Sequence, residues 1–240
     1  GKRAFLFSPI KKIDDGLGSL KFNRLLNSIK PSFVPSYQCK PDLNESPKYS
    51  QFTTTILIPS SVSHFDKDWC CNTPNIRNIQ IIPNEKENIM LIDEKIMIGK
   101  SDLSSDIYDV LLFASRDIVN VVIPFFIKRI ARYAFADCVN IQKVEFSEDS
   151  QLEVIEKFAF SGASIKSIII PPSVIEIEDF AFRGCSSLTE IEFETPSNLA
   201  LIGKGAFEGC SSIEKIVIPS SVKFISEDAF EGCNQLKKGT

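Results

Sequence analysis

Few residues in this chain are of a type and spacing that could carry chemistry. A single histidine, His64, is present, so any Ser-His-Asp or Cys-His arrangement would have to be built on it. It stands in Val62-Ser63-His64-Phe65, a stretch that reads as one turn of a degenerate repeat with the imidazole facing solvent. The vicinal Cys70-Cys71 and one histidine make a poor zinc ligand set, and no C-x-x-C pair occurs, so no metal is expected. Gly16-Leu17-Gly18 lacks the further glycine and helix of a dinucleotide loop. Gly99-Lys100-Ser101 mimics the tail of a phosphate loop but has no upstream glycine at the needed spacing and no helix after it. Glu190 and Glu192 share one strand face, yet an open, solvated sheet cannot push two carboxyl pKa values apart as acid–base catalysis needs. Neither a catalytic residue nor a cofactor site is expected, and the chain is not read as an enzyme.

The informative pattern is a repeat. Alanine-phenylalanine pairs stand at Ala134-Phe135, Ala159-Phe160, Ala181-Phe182, Ala206-Phe207 and Ala229-Phe230, spaced by 25, 22, 25 and 23 residues. From Pro219, apolar residues follow at Val222, Ile225, Ala229-Phe230, Cys233 and Leu236. From Pro124 and from Pro171 the same offsets give Ile127, Ile130, Cys138 and Ile141, then Val174, Ile177, Cys185 and Leu188. Two units of a second kind lie between, entered through polar turns after Phe146 and Phe193, so that the leading prolines recur at 47 and 48 residues. The repeat is therefore a pair of alternating coils.

Each unit holds a run with apolar residues at alternate positions, such as Leu188-x-x-Ile191-x-Phe193, which predicts a half-buried strand; proline after it ends the ladder. The V-x-x-I stretch predicts a second extended piece, and the E-D-A-F or G-K-G-A-F segment predicts a single helical or 3₁₀ turn. A unit this short cannot bury its apolar face alone, so neighbours must stack, with alanine where the wall is tight and the phenylalanines as an internal ladder. The frame I-x-I-P-x-S-V-x-x-I-x-x-x-A-F-x-x-C-x-x-L resembles the BspA-type leucine-rich repeat over Val121–Lys238, and a weaker copy runs from Ile56-Leu57-Ile58-Pro59 through Phe65, Trp69-Cys70 and Ile76. That resemblance implies a mostly β solenoid: a leucine-rich repeat coil with a parallel strand ladder, short helical turns and a β-hairpin insertion.

Along the chain, residues 1–50 are a poorly legible segment that could hold a decayed coil. Residues 51–82 form the degenerate repeat, 83–120 a β-insertion, and 121–240 the regular array. In the insertion, Ile89–Ile92 and Lys95–Ile98 flank Asp93-Glu94 as a hairpin would, with Val110–Phe113 as a third strand; it reads either as a cover for the coil or as a partner-contacting island. The chain begins with Gly1 rather than Met and shows no charged-then-apolar leader, and the array stops at Leu236-Lys237-Lys238 without the polar capping repeat a solenoid needs, which reads as a fragment of a longer protein. The net charge of −4 offers no basic stripe for nucleic acid, and no run of 18 apolar residues is present to span a membrane. Cys138, Cys185, Cys210 and Cys233 occupy one repeat position, with Ala163 in the fifth unit, so they read as free core thiols. The states of Cys39, Cys70 and Cys71 are open. The Asn44-Glu45-Ser46 sequon is followed by Pro47 and carries little weight.

Function is expected on the exposed strand face. Its central outward row reads Val122, Glu145, Ile169, Glu192, Val217, and the row before it Asn120, Lys143, Ser167, Glu190, Lys215. Apolar anchors alternating with charge suit a protein-binding surface, while β-propensity alone would also place Val and Ile there. The candidate contact residues are Val122, Lys143, Glu145, Ile169, Glu190, Glu192, Lys215 and Val217. The family resemblance implies a cell-surface or secreted adhesion module that binds host matrix, host cell-surface or microbial proteins. The alternative is an intracellular repeat scaffold for protein–protein interaction.

Overall fold

The computed structural model describes residues 54–65, 68–71 and 73–237. Residues 1–50, with Gly16-Leu17-Gly18, Cys39 and the sequon, lie outside the described residues. In chain order the strands are β1 (Thr55–Pro59), β2 (Asn78–Ile82), β3 (Ile89–Ile92), β4 (Ile96–Gly99), β5 (Val110–Ala114), β6 (Asn120–Ile123), β7 (Arg129–Ile130) and β8 (Lys143–Phe146). They continue as β9 (Val154–Ile155), β10 (Ser167–Ile170), β11 (Glu176–Ile177), β12 (Glu190–Phe193), β13 (Leu201–Ile202), β14 (Lys215–Ile216) and β15 (Phe224–Ile225). The chain winds as a β-solenoid whose coils stack in parallel. One wall, the first ladder, is built from the I-x-I strands as the sheets β6-β8 and β10-β12-β14. The V-x-x-I pieces β7, β9, β11, β13 and β15 form the second ladder, which β5, β4 and β3 of the insertion extend into an eight-stranded sheet of order β15-β13-β11-β9-β7-β5-β4-β3.

The third wall corrects the sequence reading. No described residue is helical; the Ala-Phe segment is a run of tight turns whose amides alternate in direction. Phe158, Phe160 and Gly162 donate to Asp179, Ala181 and Arg183 of the next coil, while Ala159, Ser161 and Ala163 donate back to Glu156, Phe158 and Phe160. The next interface repeats the arrangement, with Phe180, Phe182 and Gly184 donating to Lys204, Ala206 and Glu208. A helix would spend every amide within its own turn and leave adjacent coils without hydrogen bonds on this side. The alternation needs left-handed residues on both sides of the Ala-Phe pair. On one side they are Tyr133, Phe158, Phe180, Gly205 and Asp228; on the other, Asp137, Gly162, Gly184, Gly209 and Gly232. Glycine adopts that conformation without cost, which explains why it fills the second row four times out of five.

Inside the coils, Phe135, Phe160, Phe182, Phe207 and Phe230 stack with centroid separations of 4.8, 5.0, 5.2 and 5.4 Å. The alanines before the first four are fully buried. The cysteine row is also inside: Cys185, Cys210 and Cys233 donate Sγ–H to the carbonyls of Phe160, Phe182 and Phe207 at 3.1, 3.0 and 3.2 Å. All three thiols and Cys138 are free. Burial holds the Cys185 thiol well above its ordinary range and pushes Cys233 up to about 11.

The hairpin of the insertion is present, with Ile92 paired to Ile96 and both Asp93 and Glu94 at positive φ, as a type I′ turn requires. β5 is at once its third, antiparallel strand and the first parallel rung beneath β7. Upstream, β1 and β2 pair in parallel, and Trp69 fills the coil they belong to, packed between Phe65 and Phe113 at 4.7 and 5.6 Å. The two cores are joined by Arg116, whose side chain is 2% exposed. Its guanidinium donates to the carbonyls of Thr73, Ala134 and Tyr133 and lies 4.2 Å from the Phe113 ring centre. Its own amide donates to Ile76, and the flanking Ser115 and Asp117 engage Arg77 and Lys95. Burying that charge is tolerable because carbonyl dipoles and a ring face replace its water.

Two stability changes follow. Phe182→Ala removes the middle ring of the stack and should cost about 3–5 kcal/mol in urea unfolding; a neutral result would show that the rings are not a shared core. Arg116→Ala removes the donors that bridge Thr73, Tyr133 and Ala134, whose carbonyls each keep one backbone amide partner, for a loss of about 1.5–3 kcal/mol. Limited proteolysis of that variant should cut between the Trp69 coil and the array well before the array itself unfolds.

Candidate protein-binding face

The first ladder sets the candidate residues side by side. Val122 pairs with Glu145 and Asn120 with Lys143 across β6-β8; Ile169 pairs with Glu192 and Ser167 with Glu190 across β10-β12; Glu190 pairs with Lys215 across β12-β14. All eight candidate contact residues are exposed, because alternate positions of a strand face opposite ways and Val121, Val144, Ile168 and Ile191 take the core side. The large apolar side chains stay open to solvent: Val122 is 56%, Ile169 48% and Val217 67% exposed. β8 and β10 belong to separate hydrogen-bonded sheets, so the face is two registered patches meeting at a seam.

Charge on this face is only partly matched. Lys143 reaches Glu145 at 2.7 Å within one strand, an exposed pair of small energetic weight. Among the described residues neither Glu190 nor Glu192 forms a salt bridge. The turn wall differs, since its charges are tied from coil to coil: Lys157 to Asp179, Arg183 to Glu208, and Lys204 to Glu227 and Asp228. That wall also carries a second aromatic stack, Tyr133, Phe158 and Phe180 at 5.0 and 5.1 Å, with Lys157 over its last two rings. It ends at Gly205, where a Cβ would come within 2.5 Å of the Phe180 ring. The sequence reading missed this stack, although an aromatic two residues before each of the first three ladder phenylalanines was its signal.

The residues weighed for chemistry are scattered or occupied. His64 is exposed on the Trp69 coil. Ser101, the tail of the phosphate-loop mimic, is held through its amide and hydroxyl by Asp109 at 2.8 and 2.7 Å, and Gly99 is a buried strand residue against Leu112. Cys71 is disulfide-bonded. Cys70 is a free thiol, pushed up to about 12 by burial against the opposing pull of Arg116. Among the described residues no cluster of metal-ligating side chains forms and no helix is long and apolar enough to cross a membrane.

The profile of the BspA type leucine rich repeat region matches six copies over residues 107–237. The chain belongs to the BspA-type leucine-rich repeat family. Solved structures carry the same fold. A leucine rich cell surface protein from Faecalibacterium prausnitzii A2-165 is 25% identical at a TM-score of 0.54, over 77% of this chain and 41% of its own. A leucine-rich repeat protein from T. pallidum is 27% identical at 0.52, over 61% and 68%. A leucine-rich repeat protein from Eubacterium ventriosum ATCC 27560, 19% identical at 0.54 over 78% and 60%, is alike in fold alone. The chain thus spans well under two thirds of the Faecalibacterium protein and about three fifths of the Eubacterium one. No curated protein matches the sequence. A BspA-type repeat array is a protein-interaction module in architecture: a rigid, extended sheet of stacked coils.

The core thiols give a direct check on the coil. Iodoacetamide should leave Cys138, Cys185 and Cys210 unlabelled in the native protein at mildly alkaline pH and label all three in urea, since each is fully buried. Native labelling of Cys185, read by peptide mass, would contradict its place beneath Phe160.

Proposed function

We propose that this chain is a non-enzymatic protein-binding module that uses the first-ladder strand face as its contact surface, within a BspA-like protein displayed at the cell surface or secreted. The observation that carries it is the exposed central row: Val122, Ile169 and Val217 stay in water, while the inward aliphatics of the same ladder, Val121, Ile123, Val144, Ile168, Ile170 and Ile191, are buried. Apolar anchors on a rigid sheet contribute binding energy by leaving water, and intervening charges select the partner. The similar Faecalibacterium protein is a cell surface protein, which supports the location. Adhesion to host matrix, epithelial or microbial surface proteins is the role such a face would serve.

The test is binding of the purified chain to immobilised matrix and epithelial surface proteins, with Ile169→Lys and the Glu145→Lys/Glu192→Lys pair alongside. We expect at least tenfold weaker capture by each variant, about 1.4 kcal/mol, with circular dichroism unchanged. Unaltered capture by all variants would remove the face from the function. Antibody labelling of intact cells, against permeabilised ones, tests the location.

A further inference from the structure

We propose that the strand-end half of this face, together with the turns that leave it, takes a cationic, extended protein segment that carries an apolar residue at every third position. The inference rests on the binding-face reading above and adds the chemistry of the ligand.

Charge sign is segregated along the strands. At the strand starts lie Lys143, Lys166 and Lys215, mixed with Glu190 and Glu214. From the central outward position through the following turn, residues 122–127, 145–152, 169–174, 192–199 and 217–222, the chain has Glu145, Glu148, Asp149, Glu192 and Glu194 and no lysine or arginine. All five carboxylates are exposed. Only Glu145 has a salt-bridge partner among the described residues, the exposed Lys143. On the turn wall Asp179, Glu208, Glu227 and Asp228 are each paired to a cation of the adjacent coil, whereas this corner holds acids with no cation among them. Acids with no cation among them make a negative field that steers a cation, more weakly as salt is raised.

The coils that alternate in sequence also alternate in surface. Those led by proline contribute Val122, Ile169 and Val217; those led by a polar turn contribute the acids. In the continuous sheet β10-β12-β14, Glu192 lies between Ile169 and the residue after β14, Val217. Strands about 4.8 Å apart put those two aliphatics roughly 9.6 Å from one another. A polyproline-type segment rises about 3.1 Å per residue with three residues per turn, so its like-facing side chains recur every 9.3 Å or so. An apolar residue at every third position therefore meets Ile169 and Val217 in step, and a lysine or arginine between them reaches Glu192. Extended antiparallel strands, with like-facing side chains recurring near 6.8 Å, fall out of register.

The experiment is fluorescence anisotropy of the full chain with labelled peptides of five Leu-Pro-Lys, five Leu-Pro-Glu or five Ser-Pro-Lys repeats. The Leu-Pro-Lys peptide should bind, more weakly as salt is raised, and Glu145→Lys/Glu192→Lys should reduce its affinity tenfold or more. Equal binding of Leu-Pro-Glu, or no effect of the charge reversal, overturns the cationic ligand; equal binding of Ser-Pro-Lys overturns the apolar register. If Leu-Pro-Lys does not bind while Ile169→Lys still abolishes capture of a matrix protein, the ligand inference falls and the binding face stands. If Ile169→Lys changes neither, both fall.

Discussion

Everything in this molecule depends on one constraint: a coil of about two dozen residues leaves backbone amides on three sides that only the next coil can satisfy. On two sides the solution is the ordinary parallel ladder. On the third, the Ala-Phe segment alternates its amides, one to the adjacent coil and one back into its own turn. That alternation brings the coils close enough for ring-on-ring stacking near 5 Å, with a fully buried alanine before each of the first four rings. Buried amides left without partners would each cost more than a hydrogen bond contributes, so a single coil has no stable existence alone.

The same constraint frees the outward face of the first ladder. Since backbone pairing and the inner aliphatics hold the wall, outward side chains there are under little structural demand. They are the place where a repeat protein can vary without unfolding. The turn wall is less free, because its lysines, arginines and acids tie coil to coil and its second aromatic stack closes over Gly205. Apolar residues and unpaired acids are therefore more informative on the strand face than they would be elsewhere.

Much of the coil was legible in the sequence. The Ala-Phe pairs marked the stacked rings, the cysteine row marked buried free thiols, and Asp93-Glu94 marked a hairpin turn. The helical turn was misread, because a short D-A-F or G-A-F segment satisfies helical capping patterns equally well. Local propensity cannot see that the amides have a better partner in the next coil. Arg116 was overlooked for a related reason. An arginine outside the repeat frame reads as a solvated charge, and only the approach of the Trp69 coil to the array surrounds it with carbonyls from Thr73, Tyr133 and Ala134.

The sequence by itself determined the period, the two alternating kinds of coil, which residues face inward and which outward on each strand, and the family to which the frame belongs. These follow from side-chain type at fixed spacing, which one dimension records in full. Tertiary structure decided how the third wall is bonded, where two cores join, where the first ladder divides at the β8–β10 seam, and which charges are already matched by a neighbouring coil. Each of those depends on groups some 20 or more residues apart meeting across a coil boundary, and their register is set by stacking rather than by any local pattern.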